Sequence, residues 1–493
     1  MKKILALLLA VVMVAALFVG CAKDPQEPST SSTPADSTSE PASEPTNDEI
    51  VDLKWVTVGS GMPANYDAWK ANLDKYLEEK IGVHLDIEVI SWGDWDTRRN
   101  MIVSTNEPFD IIFGNNGTYT SDIALGALAD ISSLLSSTPG LTDLIPEDYW
   151  DSVTIGGKIY GVPTYKDSSS TQYFVYDKEL VESTGTDYAN AHTLSDLTPI
   201  LKAMYEKKGE AVFIMNQGGL DAIYGGKYDD LSLGFPAIGV SYNGTEAKAV
   251  SVFEQDDIKA DLETLRSWYQ AGYINSDAAV LAEAPQYRPC FVAQGWSAAA
   301  QTTWGPQMGV DAVAIQWGNT VMSNSTVQGS INSISASCAH PEKALQLLEL
   351  VNTDSFVRDA LYYGLEGDNF DYTADGKIHK NNTDWTMAGY TQGTFFNVSY
   401  LEDDNSNQWA EVQELNGKAV ASPALGFAFD RTAVADKIDA CVAVYQEYRP
   451  TLMTGTGDPT ETTNAMLTAM RAAGFDDILT EVQAQLDAWV ASK

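Results

Sequence analysis

Six tryptophans, Trp92, Trp95, Trp296, Trp304, Trp317 and Trp385, fall close to the ends of predicted strands or in loops. A flat aromatic face beside Asn, Gln or carboxylate groups suits a sugar, whose C–H faces are apolar and whose hydroxyl rim needs paired hydrogen bonds. Residues for covalent chemistry are harder to assemble. His84, His192, His340 and His379 are scattered, with no H-x-x-x-H or cysteine spacing that would make a metal set. No G-x-S-x-G elbow presents a serine nucleophile. Carboxylate pairs for glycoside hydrolysis are always available in a chain with 68 acidic residues, so their presence is uninformative.

Two motifs come near to known sites and fall short. Gly59-Ser60-Gly61-Met62-Pro63-Ala64 matches G-x-G-x-x-A after a strand, but Pro63 interrupts the turn where a helix should start. The acidic residue expected about 20 positions on would fall inside a predicted helix, at Glu78 or Glu79, so the segment reads as a strand-to-helix loop. Asp371, Thr373, Asp375 and Gly376 open like a calcium loop, yet Asn382 stands where a bidentate Glu is needed. A surface hairpin turned by Asp375-Gly376 is expected instead, and neither metal nor cofactor is expected anywhere.

The formal charge of −38 repels nucleic acid and anionic headgroups and excludes both as partners. Lys2 and Lys3 precede an apolar run, Ile4 to Val19, that ends at Gly20-Cys21 and reads as an export signal. Leu17 to Cys21 looks like a bacterial lipobox, with Phe18 where Leu is usual. That likeness implies acylation of Cys21 and anchoring to a membrane the protein does not cross. Ala22 to Glu49, dominated by Ser, Thr, Pro and acids, cannot bury enough surface to order itself and reads as a tether with a reach of about 30 Å. Cys290, Cys338 and Cys441 allow at most one bridge and leave the pairing open.

Beyond the tether, about 440 residues exceed what one core usually serves, so two lobes are expected. Leu53 to Val58, Val83 to Ile90 and Phe109 to Phe113 read as strands, with helices over Tyr66 to Ile81, Trp95 to Ser104 and Ser121 to Ala129. Alternating strands and helices imply a parallel sheet whose ligands sit at loops beyond the strands' carboxyl ends. This places Asn65, in the loop from Gly59 to Tyr66, and Asn115 and Asn116 on the candidate list. Farther on, strands are expected at Ile159 to Pro163, Gln172 to Tyr176, Cys290 to Val292 and Ile331 to Ser335, and helices over Leu194 to Lys207, Ile258 to Ala271 and from Pro341.

In order along the chain, Phe109-Asp110-Ile111-Ile112, Gly157-Lys158-Ile159-Tyr160-Gly161-Val162-Pro163, Pro341-Glu342-Lys343-Ala344, Tyr363-Gly364-Leu365-Glu366-Gly367 and Gly426-Phe427-Ala428-Phe429-Asp430 form a pattern. With Glu481 to Trp489 it resembles the type 1 extracellular solute-binding proteins of ABC importers, in particular their LipO-like lipoprotein branch. The likeness runs from about Ile50 to the end and departs at Asn369-Phe370, where the branch often has His-Tyr. It implies an α/β, two-lobed periplasmic-binding-protein-like (type II) fold with discontinuous lobes and a central ligand cleft. Residues 1–20 would be a lipoprotein signal peptide and 21–49 the lipidated Cys21 and its tether. Residues 50–163 with 329–365 would form the first lobe, and 164–328 with 366–493 the second.

The implied function is capture of a carbohydrate, an oligosaccharide, for delivery to ABC permease subunits by a monomer anchored on the outer face of the cell membrane, extracellular or periplasmic. Trp92 and Trp296 are the aromatic candidates, Trp296 because relatives present an aromatic to the cleft after the matching glycine. Tyr165 and Gln328 flank the first two crossings between lobes, and Tyr363 and Glu366 the last. A receptor for a peptide or other small polar solute, and a surface glycosidase, remain as alternatives.

Overall fold

The computed structural model describes residues 50–402 and 408–493. The expected signal, tether and Cys21 lie outside the described residues. Near the amino terminus the residue pattern acts as the physics demands. Val51–Gly59 alternates apolar side chains and then buries both faces. Tyr66–Ile81 follows as a helix that turns Trp69, Leu73 and Leu77 inward at intervals of four. Val83–Ser91 returns parallel to the first strand, from Val51 opposite Val83 to Gly59 opposite Ser91. Trp95–Thr105 is helical, and Ile111–Gly114 joins the first strand's other side, again parallel.

The expected parallel sheet is therefore present, but only in part. Its fourth and fifth members, Ile331–Ile334 and Val162–Pro163, run antiparallel to their neighbours. Ile331–Ile334 reaches the sheet on its way back from the second lobe and so runs against Ile111–Gly114. The helix expected over Ser121 to Ala129 is shorter, Tyr119–Ala124, because Gly126 takes a left-handed turn.

Two large hydrophobic cores lie within the single compact unit Asp48–Lys493. The first gathers Trp55, Trp69, Leu85, Ile112 and Leu348 around the parallel strands. The second gathers Phe213, Trp268, Ile438, Met466 and Leu486. Beside it, Ser170–Asp177 is flanked by Cys290–Gln294 and Ala312–Met322, both antiparallel to it, and Val420–Ala421 closes the row. Two lobes with their own cores and interleaved chain segments are the expected α/β, two-lobed architecture.

The chain passes between the cores at 164–169, at 323–330 and through the helix Gln408–Lys418. Hydrogen bonds lace these crossings together. The Thr164 and Ser330 hydroxyls are 2.8 Å apart, and Asn416 joins the Ser169 hydroxyl, at 2.9 Å, to the Lys166 carbonyl, at 2.5 Å. The last crossing thus comes later than expected. Residues 366–402 do not join the second lobe: Trp385, Met387, Tyr390 and Phe396 pack on the first core, because they offer it the apolar faces that cover its exposed edge.

Phe370–Tyr372 and Ile378–Lys380 form the expected hairpin, with Gly376 at a positive φ in its turn. Among the described residues Cys290, Cys338 and Cys441 are free thiols, Cys290 and Cys441 buried. Among the described residues no group of His, Cys, Asp or Glu could hold a metal ion, and no helix is long and apolar enough to cross a membrane.

Candidate functional site

The three parallel strands end on one side of the first lobe, and their loops supply its inward face. At Gly59 a Cβ would lie 2.3 Å from the Thr386 carbonyl, so only glycine lets residue 386 approach closely enough for the Ser60 amide to donate to that oxygen at 2.8 Å. Asn65, expected to meet ligand, is occupied: its Nδ2 donates to Asp368 at 2.7 Å and to Asn369 at 2.8 Å, tying this loop to the turn after Glu366.

After the second strand stands Trp92, 51% exposed, the most solvent-open of the six tryptophans singled out by sequence. Its ring lies nearly parallel to that of Tyr390, 15° between planes and 6.3 Å between centres. Phe113 meets Tyr390 edge-on at 6.2 Å, and the Lys166 ammonium lies 5.8 Å from the same ring, bound to the Asp167 carboxylate at 2.7 Å. An exposed indole near-parallel to a half-buried tyrosine, with a charged donor and acceptor beside them, offers the kind of aromatic face that suits a flat, hydroxyl-rimmed ligand.

After the third strand, Asn115 works on its own loop. Its side chain accepts from the Gly117 amide at 3.0 Å, and its carbonyl accepts from Thr118 and Tyr119, starting the next helix. Beneath this loop Arg99 forms a buried, two-pronged ion pair with Asp122, its Nη1 donating at 3.1 Å, with 2% and 4% side-chain exposure. The adjacent Asn116 faces the second lobe. Together with Gln328 it lines a cavity of about 250 Å³ whose far wall is Asp229, Leu231, Phe427 and Phe429. Gln328 donates to the Ser152 carbonyl at 2.6 Å and so also fixes the second crossing to the first lobe.

On the second lobe Trp296 is half-buried and packs on Trp409 at 5.9 Å, which in turn lies on Phe395 at 4.4 Å. The Glu411 carboxylate accepts from the Ser297 and Ala298 amides at 2.7 and 3.1 Å, holding the Trp296 loop to the crossing helix. The indole N–H of Trp296 has no partner among the described residues.

The other expected contacts are placed elsewhere. Tyr165 is buried edge-on between Tyr149 and Phe396. Tyr363 is buried with its hydroxyl donating to the Ser399 carbonyl at 2.7 Å. Glu366 is exposed on the turn after Gly364. Tyr390, Trp409, Lys166 and Asp167 were not anticipated; the only local sign was the density of aromatics from Trp385 to Phe396. Asp229 was missed as well, because in sequence Lys227-Tyr228-Asp229-Asp230 looks like a solvated turn. Burial raises the Asp229 carboxyl to about 6, with neighbouring Asp230 pushing the same way, while hydrogen bonds from the Ser422 hydroxyl and the Leu231 amide oppose the rise.

Residues 71–364 match the family described as bacterial extracellular solute-binding protein, and residues 423–491 match a domain of unknown function. A carbohydrate ABC transporter substrate-binding protein of Streptococcus pneumoniae is 28% identical over 463 residues, 90% of this chain and 91% of that one. The crystal structure of the N-glycan transport solute-binding protein of Streptococcus pneumoniae superposes with a TM-score of 0.79 at 26% identity, over 90% of this chain and 99% of that one. For the same protein in complex with Man1GlcNAc the TM-score is 0.69, over 89% and 99% of the two chains, and with Man5GlcNAc 0.65, over 90% and 99%.

Proposed function

The chain belongs to the bacterial extracellular solute-binding proteins, and from that premise we propose that it captures an oligosaccharide between its lobes and delivers it to an ABC permease. The observation that carries this reading is the exposed face of Trp92 lying near-parallel to Tyr390, with the paired Lys166 and Asp167 beside the rings. Trp296, on the opposite lobe, supplies a second aromatic face. Similarity to the pneumococcal N-glycan relative falls from its structure without a named glycan to its two glycan complexes. That ordering is the one expected of two halves that change their angle around a ligand.

The mechanism is differential binding. Contacts made to both lobes at once stabilise the closed form, and a micromolar dissociation constant corresponds to about 8 kcal/mol after the cost of closure. The ligand leaves chemically unchanged, and the permease and its ATPase are separate chains. The Gly20-Cys21 junction supports a lipid anchor on the outer face of the membrane, with residues 21–49 as the tether and the folded part acting as a monomer.

The test is calorimetry of the protein with a panel of neutral oligosaccharides, monosaccharides and peptides, for the wild type and for Trp92→Ala. Oligosaccharide binding that Trp92→Ala weakens supports the proposal. Binding of peptides alone, or release of sugar products at catalytic turnover, overturns it.

A further inference from the structure

The cavity of about 250 Å³ between Asn116 and Asp229 is separate from the aromatic platform yet joined to it by one short loop. Phe113 touches Tyr390 of the platform, and Gly117 lines the cavity. Four residues of chain span at most about 14 Å, so one loop serves both surfaces. The space is many times what one ordered water needs, room for a small polar group such as a sugar ring. Its lining combines apolar faces, Phe427 and Phe429, with the amides of Asn116, Asn324 and Gln328.

The wall opposite Asn116 is unusual in its backbone. Leu231 and Ser232 are consecutive non-glycine residues at φ 54° and 56°, a conformation that costs energy at each. It is held by two carboxylates: Asp229 accepts from the Leu231 amide and Asp230 from the Ser232 amide, both at 3.0 Å. Asp229 is 4% exposed. The charged and titratable groups around it are Asp230 and Tyr242 from its own lobe and Arg431 at the rim. Arg431 is engaged by Asp439 at 2.8 Å. An anion entering the cavity therefore meets a fixed, poorly solvated carboxylate, while Arg431, more than half exposed at the rim, offers it only a water-screened charge.

We propose that this cavity is a terminal subsite that accepts one neutral, hexose-sized end residue of the oligosaccharide and rejects an acidic one. This rests on the carbohydrate reading above. Hydroxyl groups of the end residue donate to Asp229, and the Asn116 and Gln328 side chains border the same space. Because burial raises the Asp229 carboxyl to about 6, rejection of acidic ends fades as the pH falls to 5 and the group takes up a proton.

The test is an array of neutral oligosaccharides together with counterparts whose terminal hexose is oxidised to the uronic acid, followed by calorimetry on the best neutral ligand. At pH 7.5 the wild type binds the neutral form at least about tenfold more tightly than its acidic counterpart, and the ratio shrinks at pH 5. Asp229→Asn brings the ratio towards one at both pH values. Ala428→Trp, which fills the cavity, weakens neutral binding by about tenfold or more, with the ligand-free unfolding midpoint recorded to show that the variant is folded. If Asp229→Asn and Ala428→Trp leave both affinities unchanged while Trp92→Ala abolishes binding, the terminal subsite is overturned and the platform stands. If no oligosaccharide binds, the carbohydrate reading itself fails.

Discussion

The two lobes present their inward faces in different ways. The first lobe fixes its binding loops from beneath: Arg99 and Asp122 are paired in the interior, Asn65 ties one loop to Asp368 and Asn369, and the 386 carbonyl receives the Ser60 amide. The second lobe holds the Trp296 loop from outside, through Glu411 on the crossing helix and through Trp409, which is itself a bridge to Phe395. One face is prepared before ligand arrives. The other is held by a helix that runs between the two cores, so under the proposed closure the placement of this loop would be coupled to the turning of the lobes.

The largest effect that tests this contrast is on stability. Arg99→Ala leaves Asp122 charged, buried and alone, and should cost about 3–5 kcal/mol, seen in denaturant unfolding. The double variant Arg99→Ala/Asp122→Ala should recover part of that loss. A cost no larger than that of the exposed pair Lys437–Asp477, about 0–1 kcal/mol, would show that the first lobe does not depend on its interior pair.

Next comes a pH effect on the second lobe. The folded Asp229 holds its proton up to about pH 6, whereas the unfolded group releases it near 3.8. Between those values the folded state binds more protons, so stability falls as the pH rises, by up to about 3 kcal/mol. Asp229→Asn lessens the slope, the remainder coming from other buried carboxyls such as Asp230 and Asp359. Equal slopes for wild type and variant in unfolding experiments from pH 4 to 7 would contradict the burial of this carboxyl.

Trp92→Ala should weaken oligosaccharide binding by about 2 kcal/mol, or roughly thirtyfold, and leave the unfolding midpoint unmoved, because the ring is open to solvent. Tyr165→Ala should do the reverse, lowering stability by about 3 kcal/mol with little change in ligand contacts. The smallest expected effect is that of Glu411→Gln: about 1 kcal/mol of affinity, read as faster ligand release in stopped-flow fluorescence of Trp296 and Trp409. An unchanged release rate would place the Trp296 loop under some other control.

Much of the first lobe was legible along the chain. The strands Val51–Gly59, Val83–Ser91 and Ile111–Gly114 and the helices between them follow from side-chain period and from turn residues, which act over a few positions. The hairpin at Asp375-Gly376 was legible for the same reason. The crossing after residue 402 was not, since nothing in 366–402 marks which of two apolar surfaces its aromatics will cover. Of the site, Trp92 could be singled out as a tryptophan in a loop, while Asn65, Tyr165 and Tyr363 had residue types and positions suited to ligand contact and turned out to serve the scaffold.

By itself the sequence determined the kind of elements, their order, the two-lobe class and the aromatic chemistry on offer, because all of these depend on local pattern and composition. Only the tertiary structure decided that Trp92 lies against Tyr390, that Trp296 leans on Trp409, and that the largely buried Asp229 borders a cavity shared with Leu231 and Phe427. These partners are brought together from distant parts of the chain by packing of the two cores, and solvation and ring contact exist only once that packing is complete.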